Sequence, residues 1–366
     1  MMMSLNKTFK FMLLMVLVLI LLSCTYSIID TNNQLGPLFS LYEGITFIIA
    51  TTIIIIITIT ILGEIYSKIS NMKATIGTSA KHNPYREFNI WVNDLFFYYS
   101  GLTEVSVLLN EKLGEEYGYF IGCYLRDLVA GTAVYWLTGA LWHISIYYIL
   151  SDSLFTKENR DQPTSSIILD QMVLAQSSLF CYAALPLLSE YLIEYNYTKV
   201  YFYTEQVGGW GWYTAFLVLY IALVEIGIYW MHRTLHTNKF LYKYVHGLHH
   251  KYNKATTLTP WASLAFNPLD GILQASPYVF FVLFVPVHYF THLFLLFFSG
   301  IWATNIHDAL WGDTEPIMGS KYHTVHHTHY HYNYGQFFIF CDYFWGTLKI
   351  PERERFRNIR NDEKSR

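Results

Sequence analysis

Three short histidine-rich motifs contain the chemically most informative residues of this chain. The motifs are HRTLH, HGLHH and HTVHH, and a further histidine, His307, stands between the second and the third. On a helix, histidines three or four positions apart leave the same face, so each motif can direct two or three imidazoles to one point. The candidate metal ligands are His232, His236, His246, His249, His250, His307, His323, His326 and His327.

The composition of this ligand set indicates the metal chemistry. Imidazole nitrogen suits iron, zinc or copper, whereas calcium and magnesium prefer carboxylate and carbonyl oxygens. A single zinc ion takes about three or four protein ligands, and this set exceeds that number. One such motif alone is typical of ordinary surface or core histidines, but three at these spacings favour a site with two metal ions.

Two acidic residues are candidates for catalytic or supporting roles. Glu225 shares a helix face with His232 and His236, and an acid inside an apolar span is a functional candidate because exposure to lipid would be costly. We expect its hydrogen-bond partner to be a histidine of another helix. Asp308, beside His307, is the second candidate, and a helix cap is its alternative role.

Four further histidines are weaker candidates. His288 and His292 lie four positions apart in an apolar stretch, where core imidazoles are expected, and they remain alternative ligands. His329 and His331 follow the third motif and are candidates for the lining of a cavity beside it.

The composition of the whole chain decides which elements position these residues. The residues AVILMFWYC make up 53 % of it and charged residues only 14 %, against about 25 % charged residues in soluble domains. The formal charge of −3 offers no basic surface for nucleic acid. Four cysteines without a CxxC pair argue against a disulfide framework and against a thiolate metal site. The class that remains is an integral membrane protein.

Apolar stretches mark the candidate membrane helices, since a helix needs about 20 apolar residues to cross a bilayer. The stretches are 45–62, 128–150, 172–188, 212–231 and 272–304, with a shorter one at 11–22 that is typical of a signal peptide or anchor. The last long stretch exceeds one crossing and carries Pro277 and Pro286. Because His250 and His307 flank it and must meet, it predicts a re-entrant hairpin.

We therefore expect an all-α integral membrane protein, a transmembrane helix bundle with a re-entrant hairpin and a cytosolic, histidine-rich helical cap that holds a di-metal site. Lys and Arg number five between Arg233 and Lys254 and seven from Lys349 onward, against one between residues 189 and 211. This asymmetry predicts that the histidine motifs and the C-terminus are cytosolic. The expected domains are an N-terminal extension with one or two hydrophobic segments (1–82), the membrane domain (83–350) and a charged cytosolic tail (351–366).

The three motifs resemble the histidine boxes of the fatty acid hydroxylase/sterol desaturase superfamily. The segments IYWMHRTLH, LYKYVHGLHHKY, TPWASLAFNPLDGILQASPY and HTVHHTHYHYNYGQFF are similar to the sterol C5-desaturases (lathosterol oxidases). The similarity covers residues 85–350 loosely and 225–347 closely. Asn267 stands where that family has a histidine in an AFHP segment, His331 stands near a usual asparagine, and residues 1–82 have no counterpart. These departures concern substrate specificity rather than metal chemistry.

The resemblance implies a multi-pass, non-haem di-iron oxygenase of the endoplasmic reticulum membrane. It implies that a C5=C6 double bond is introduced into a Δ7 sterol in sterol biosynthesis, with O2 and with electrons from NAD(P)H through cytochrome b5 and its reductase. The chain has no HPGG-type haem-binding segment, so cytochrome b5 is expected as a separate partner. The sterol is expected to enter a cavity from the bilayer. The residues expected to line that cavity are Trp261, Phe266, Trp302 and Trp311.

Two alternatives share part of this evidence. A sterol C4-methyl oxidase or another lipid hydroxylase of the superfamily has the same histidine boxes but presents a different carbon to the metals. Loss of such an enzyme leaves 4-methyl sterols rather than Δ7 sterols. A membrane metal carrier, which is not an enzyme, predicts histidines or carboxylates that recur inside several spans.

Overall fold

The computed structural model describes residues 67, 83–151, 163–254, 257–307 and 315–351 of the chain. The chain divides into two units, Met1–His82 and Asn83–Arg366, and every element below belongs to the second. The sequence features that lie outside the described residues are the apolar stretches 11–22 and 45–62, Asp308, Trp311 and the tail from residue 352.

The described part of the chain is mostly α-helical, which confirms the predicted helical character. Its α-helices of five or more residues are α1 (Pro84–Ser100), α2 (Thr103–Leu113), α3 (Glu115–Ile144), α4 (Ser165–Tyr182), α5 (Ala184–Glu194), α6 (Trp210–Thr237), α7 (Pro268–Phe281), α8 (Tyr289–Ile306), α9 (Ser320–His329) and α10 (Phe340–Phe344). Two short strands, β1 (Val200–Tyr201) and β2 (Val287–His288), pair in parallel. Helices suit this apolar sequence because they satisfy their own backbone hydrogen bonds without water.

Among the residues that the structure describes, three segments are long and apolar enough to cross a membrane. They are Ser165–Glu194, which comprises α4 and α5, Trp210–Thr237 (α6) and Tyr289–Ile306 (α8). The predicted spans 172–188 and 212–231 fall within the first two. The predicted span 128–150 falls on α3 and a following π-helical turn, and it is not among the three.

The apolar stretch 272–304 forms two helices rather than one. Helices α7 and α8 are separated by a turn that contains Pro286, whereas Pro277 lies inside α7 without ending it. At the start of this turn the Val282 carbonyl accepts the N–H of Lys199, the residue before β1, at 2.7 Å. The predicted break in this stretch is confirmed.

Helix α6 carries the first histidine motif and packs closely against α7. A side chain at Gly227 of α6 would place its Cβ 2.9 Å from Cβ of Pro277, so the glycine permits this approach. His292 of α8 lies in the adjoining core, where its ring hydrogen-bonds Ser189 at 2.6 Å and Tyr220 at 2.9 Å. His292 is therefore a core imidazole, as the apolar surroundings predicted.

A buried ionic network that the sequence analysis did not identify connects α3 to α1 and α5. Nη2 of Arg126 lies 2.5 and 2.6 Å from the two carboxylate oxygens of Glu190 and 3.0 Å from Asp127. Its Nη1 donates to Asn93 at 2.9 Å. Pairing of this kind is required because an isolated charge inside an apolar bundle would be strongly destabilising.

Candidate metal centre

The structure brings all nine candidate histidines together in two groups. Within each group the ligand atoms lie within 4.8 Å of one another, and every member is buried. The first group comprises His232, His236, His246, His250 and His326. The second group comprises His249, His307, His323 and His327.

Each HxxHH motif is divided between the two groups. In the second motif His246 and His250 belong to the first group, and His249 belongs to the second. In the third motif the assignment is reversed, since His326 alone joins the first group. The two groups are therefore interleaved, so that neither can form without the segments that build the other.

Only part of the histidine set lies on regular α-helix, which corrects the expectation of one helical turn for each HxxHH motif. The first motif ends α6, and the third lies on α9. The second motif instead spans a π-helical turn, Tyr242–His246, and a 3-10 turn, His249–Lys251. This change of helix type alters the angular spacing of the rings.

The ring nitrogens within each group approach one another closely. In the first group Nε2 of His246 lies 2.8 Å from Nε2 of His236, and Nε2 of His250 lies 3.1 Å from each. In the second group Nε2 of His323 lies 3.1 Å from Nε2 of both His307 and His327. Ligands at right angles on bonds of about 2.1 Å stand about 3 Å apart. The spacing therefore suits a shared cation.

The opposite ring nitrogens of four histidines are held by hydrogen bonds. The acceptors are Asp270 Oδ2 for His246 (2.8 Å), the Tyr334 carbonyl for His232 (3.0 Å), the Tyr332 carbonyl for His326 (2.8 Å) and the Ala303 carbonyl for His307 (2.7 Å). An Nδ1–H that donates to such an acceptor leaves the lone pair on Nε2, the form that binds a metal. Nε2 of His232 and of His326 are buried without a hydrogen-bond partner within the protein, as expected of atoms that ligate a metal.

Burial keeps these imidazoles in the neutral, ligating form. Burial lowers the pKa of His307 to about 4. Burial and then the neighbouring imidazoles lower the pKa well below its ordinary value for His249, His250, His323, His326 and His327. Metal ligation requires deprotonated imidazole. The donor set therefore fits a pair of metal ions at neutral pH.

Glu225 does not contact a histidine, so the expectation about its partner is wrong. Its carboxylate accepts the backbone N–H groups of Gln336 at 2.9 Å and of Phe337 and Phe338 at 3.1 Å. Glu225 lies two helical turns from His232 on α6, and the segment beside its carboxylate is the loop 336–338 rather than another helix. Backbone N–H groups carry no sequence signal, which is why the residue types did not reveal this role.

Asp270 is the carboxylate that directly contacts a candidate ligand, and the sequence analysis did not single it out. Its Oδ2 accepts from His246, and both side chains are fully buried. The signal that could have found it is its place in PLDG at the first turn of α7. Asn267, the departure from the family pattern, caps this helix by accepting the N–H of Leu269 at 2.9 Å.

A cavity in the described part of the chain reaches both histidine groups. Four of the histidines border it, namely His232, His249, His307 and His323. Much of its wall is apolar, including Leu264, Phe266, Ile272, Leu296 and Phe297. A mostly apolar wall with a few polar groups at one place is typical of a site for a small apolar ligand.

Of the predicted cavity-lining residues that the structure describes, one lines the cavity and the others lie elsewhere. Phe266 lines the cavity, as expected. Trp261 instead packs against Tyr135, and Trp302 donates its Nε1–H to the Gln336 carbonyl at 2.7 Å. His329 and His331 are both exposed and do not line the cavity.

Comparison with known proteins agrees with this site. Residues 217–347 match the family model described as Fatty acid hydroxylase, and they include all nine histidines. Together, the apolar helices, the paired histidine groups and this match define the class as a histidine-rich membrane oxidoreductase. No solved structure gave a significant match to the chain.

Curated relatives specify the family further. A candidate Delta(7)-sterol-C5(6)-desaturase 2 of Arabidopsis thaliana is 44 % identical over 266 residues, which are 72 % of this chain and 93 % of that one. The Delta(7)-sterol-C5(6)-desaturase of Nicotiana tabacum is 44 % identical over 231 residues (63 % and 84 %). The Delta(7)-sterol 5(6)-desaturase of Leptosphaeria maculans is 31 % identical over 242 residues (64 % and 63 %). The chain belongs to the sterol C5(6)-desaturase family of the fatty acid hydroxylase superfamily.

Proposed function

We propose that this chain is a Δ7-sterol C5(6)-desaturase, an oxidoreductase that introduces the C5=C6 double bond into a Δ7 sterol in sterol biosynthesis. The observation that carries the proposal is one mostly apolar cavity bordered by members of both histidine groups. A sterol is almost wholly apolar, so an apolar wall can bind it and exclude water. The printed names of the relatives support the substrate class and the position of the double bond.

We propose that the resident metals are two iron ions, one held by each histidine group. The close Nε2 atoms and the neutral imidazoles support two cations, and the described ligand groups contain no thiolate. Zinc would bind such a set but has no redox chemistry. When bound, the irons supply the electron transfer to O2 that removal of two hydrogens requires. The chain orients the ligands and holds the substrate carbons beside His249 and His307.

We further propose the source of the electrons and the membrane in which the protein resides. Electrons come from NAD(P)H through cytochrome b5 reductase and cytochrome b5, in the endoplasmic reticulum membrane, with the histidine boxes and the C-terminus in the cytosol. Exposed Lys239 and Lys243 follow the end of α6 and suit an acidic electron carrier. In this topology α7 and α8 form the re-entrant hairpin, which returns the chain to the surface that carries the histidines.

Different observations argue against the two alternative functions, a membrane metal carrier and a sterol C4-methyl oxidase. A metal carrier needs ligand groups spread along a path, whereas both groups found in the described residues share members of the same motifs. A sterol C4-methyl oxidase has the same histidine boxes, and the relatives favour C5 desaturation over it.

The direct test is complementation of a host strain that lacks its own C5-desaturase. Expression of the full chain should convert accumulated Δ7 sterols to Δ5,7 sterols, which gas chromatography separates and whose conjugated diene absorbs in the ultraviolet. A His331→Ala chain, altered at an exposed histidine outside both groups, should do the same. Absence of any Δ5,7 product there, together with loss of 4-methyl sterols in a second host that lacks its own C4-methyl oxidase, would instead establish the C4-methyl oxidase. Iron analysis of the purified protein should give two ions per chain.

A further inference from the structure

Residues 332–338, which we call the strap, connect the first histidine group to two buried carboxylates. Five consecutive N–H groups of the strap, from Tyr334 onward, donate to Asp342 or Glu225. Asp342 accepts from Tyr334 at 2.8 Å and from Gly335 at 2.9 Å. Both carboxylates are buried, so these charge-assisted bonds form away from competing water.

Two carbonyl groups of the strap face the histidines. The Tyr334 carbonyl accepts from Nδ1 of His232 at 3.0 Å, and the Tyr332 carbonyl accepts from Nδ1 of His326 at 2.8 Å. Both rings belong to the first histidine group. The strap thus directs its N–H groups to carboxylates and two of its carbonyls to candidate metal ligands.

One peptide group carries both kinds of bond. The peptide between Tyr334 and Gly335 donates its N–H to Asp342, and its carbonyl accepts from His232. Hydrogen bonds in such a chain polarise one another, so the negative charge of Asp342 makes this carbonyl a stronger acceptor. A stronger acceptor at Nδ1 orients the ring and raises the basicity of its Nε2.

The other oriented histidines of the first group provide an internal comparison. His246 donates directly to the carboxylate of Asp270. His326 donates to a peptide group whose own N–H, that of Asn333, reaches only the neutral carbonyl of Thr347 at 3.0 Å. A carboxylate therefore acts on one ligand directly and on His232 through a single peptide.

We propose that Asp342 is a positioning residue that acts on His232 through the peptide group between Tyr334 and Gly335 and thereby sets the metal affinity of the first histidine group. The inference rests on the metal centre of the proposed function. Gly335 permits the arrangement, because a Cβ there would collide with the Phe338 carbonyl and lie 3.1 Å from Asp342 Oδ2.

The test is cobalt binding by the full chain, purified in detergent and freed of metal. Co²⁺ titration followed by visible absorption, with a competing chelator, gives the affinity of each of the two sites. Asp342→Asn should weaken one site by about 10- to 100-fold and leave the other unchanged. Glu225→Gln is the matched control, since it removes a charge from the same strap at peptide groups that contact no histidine. It should leave both affinities at the wild-type value.

The outcomes separate the inference from its alternatives. Wild-type affinity at both sites in a folded Asp342→Asn protein would overturn it, and so would an equal loss in Glu225→Gln, which would assign the effect to general loosening of the strap. Should Asp342→Asn not fold, Asp342→Ser removes the same charge with a smaller side chain and must show the same loss at a single site. A wild-type chain that binds two Co²⁺ but never desaturates a sterol refutes the proposed function alone. One that binds no Co²⁺ refutes the inference as well.

Discussion

Acidification should destabilise the metal-free protein through its buried histidines. Burial lowers the pKa of His307 to about 4, whereas the same ring in the unfolded chain has a pKa near 6.5. Between these two values the unfolded chain binds a proton that the folded chain does not. The free energy of unfolding therefore falls as the pH falls through this window, and it is unaffected by this group above it.

The size of the effect follows from the two pKa values. At 1.36 kcal/mol per pH unit, the difference between 6.5 and about 4 corresponds to a loss of roughly 3 kcal/mol below pH 4 and about 2 kcal/mol at pH 5. Burial and neighbouring imidazoles also lower the pKa of His249 and His323, so their protonation on unfolding acts in the same direction. Because folded domains are stable by only about 5–15 kcal/mol, this loss is large.

Thermal unfolding in detergent, followed by circular dichroism with a chelator present, measures this dependence. The melting temperature should be constant from pH 8 to 7 and fall steadily from pH 6.5 to 5. His307→Gln should lower the number of protons taken up on unfolding by about one, so its melting temperature should fall less steeply with pH. His331→Ala, altered at an exposed histidine, should show the wild-type dependence. Metal-loaded protein should resist to a lower pH. A flat profile between pH 6.5 and 5 would refute the assignment of buried, neutral imidazoles.

Three further substitutions have defined outcomes. His249→Ala should abolish sterol desaturation while helical circular dichroism is retained, and full turnover would contradict its place in the second group. Asp270→Asn should weaken metal binding by about 10- to 100-fold, because a neutral amide oxygen is a weaker acceptor for the His246 N–H than the carboxylate is. Isothermal titration checks this, and unchanged affinity would count against it. Gly227→Val should lower the free energy of unfolding by about 1–3 kcal/mol, because the new side chain overpacks against the prolyl ring of the facing helix. A lower melting temperature would confirm this. An unchanged melting temperature would show that the two helices can separate.

The spacing of the histidines was sufficient to identify the candidate ligand set. On a regular helix, imidazoles three or four residues apart leave the same face, so such spacing marks them as candidate ligands. The excess of apolar residues likewise required membrane-type helices, and the two prolines predicted a break in the stretch 272–304. These inferences depend on local geometry, which neighbouring residues determine.

The partition of the ligands was decided by the tertiary structure. His249 and His250 are adjacent in sequence but belong to different groups, and so do His326 and His327. The first pair lies on a 3-10 turn and the second on a regular helix, so the packing of the segments, not the local helix type, makes the partition. Asp270 meets His246 only because α7 packs against the turn that carries this histidine. Contacts between residues tens of positions apart depend on how helices pack, and local spacing does not encode that.

The roles of Glu225 and Asp342 were the least predictable from the sequence. Both carboxylates bind backbone N–H groups, which every residue except proline possesses. A side-chain pattern therefore cannot show which loop they hold, and only the folded chain brings that loop to the histidines. The amino-acid sequence determined which atoms are available to bind metal and that they lie among apolar helices. The packing of those helices determined which of these atoms meet, because the sequence contains many chemically equivalent groups and only the folded chain brings a particular pair into contact.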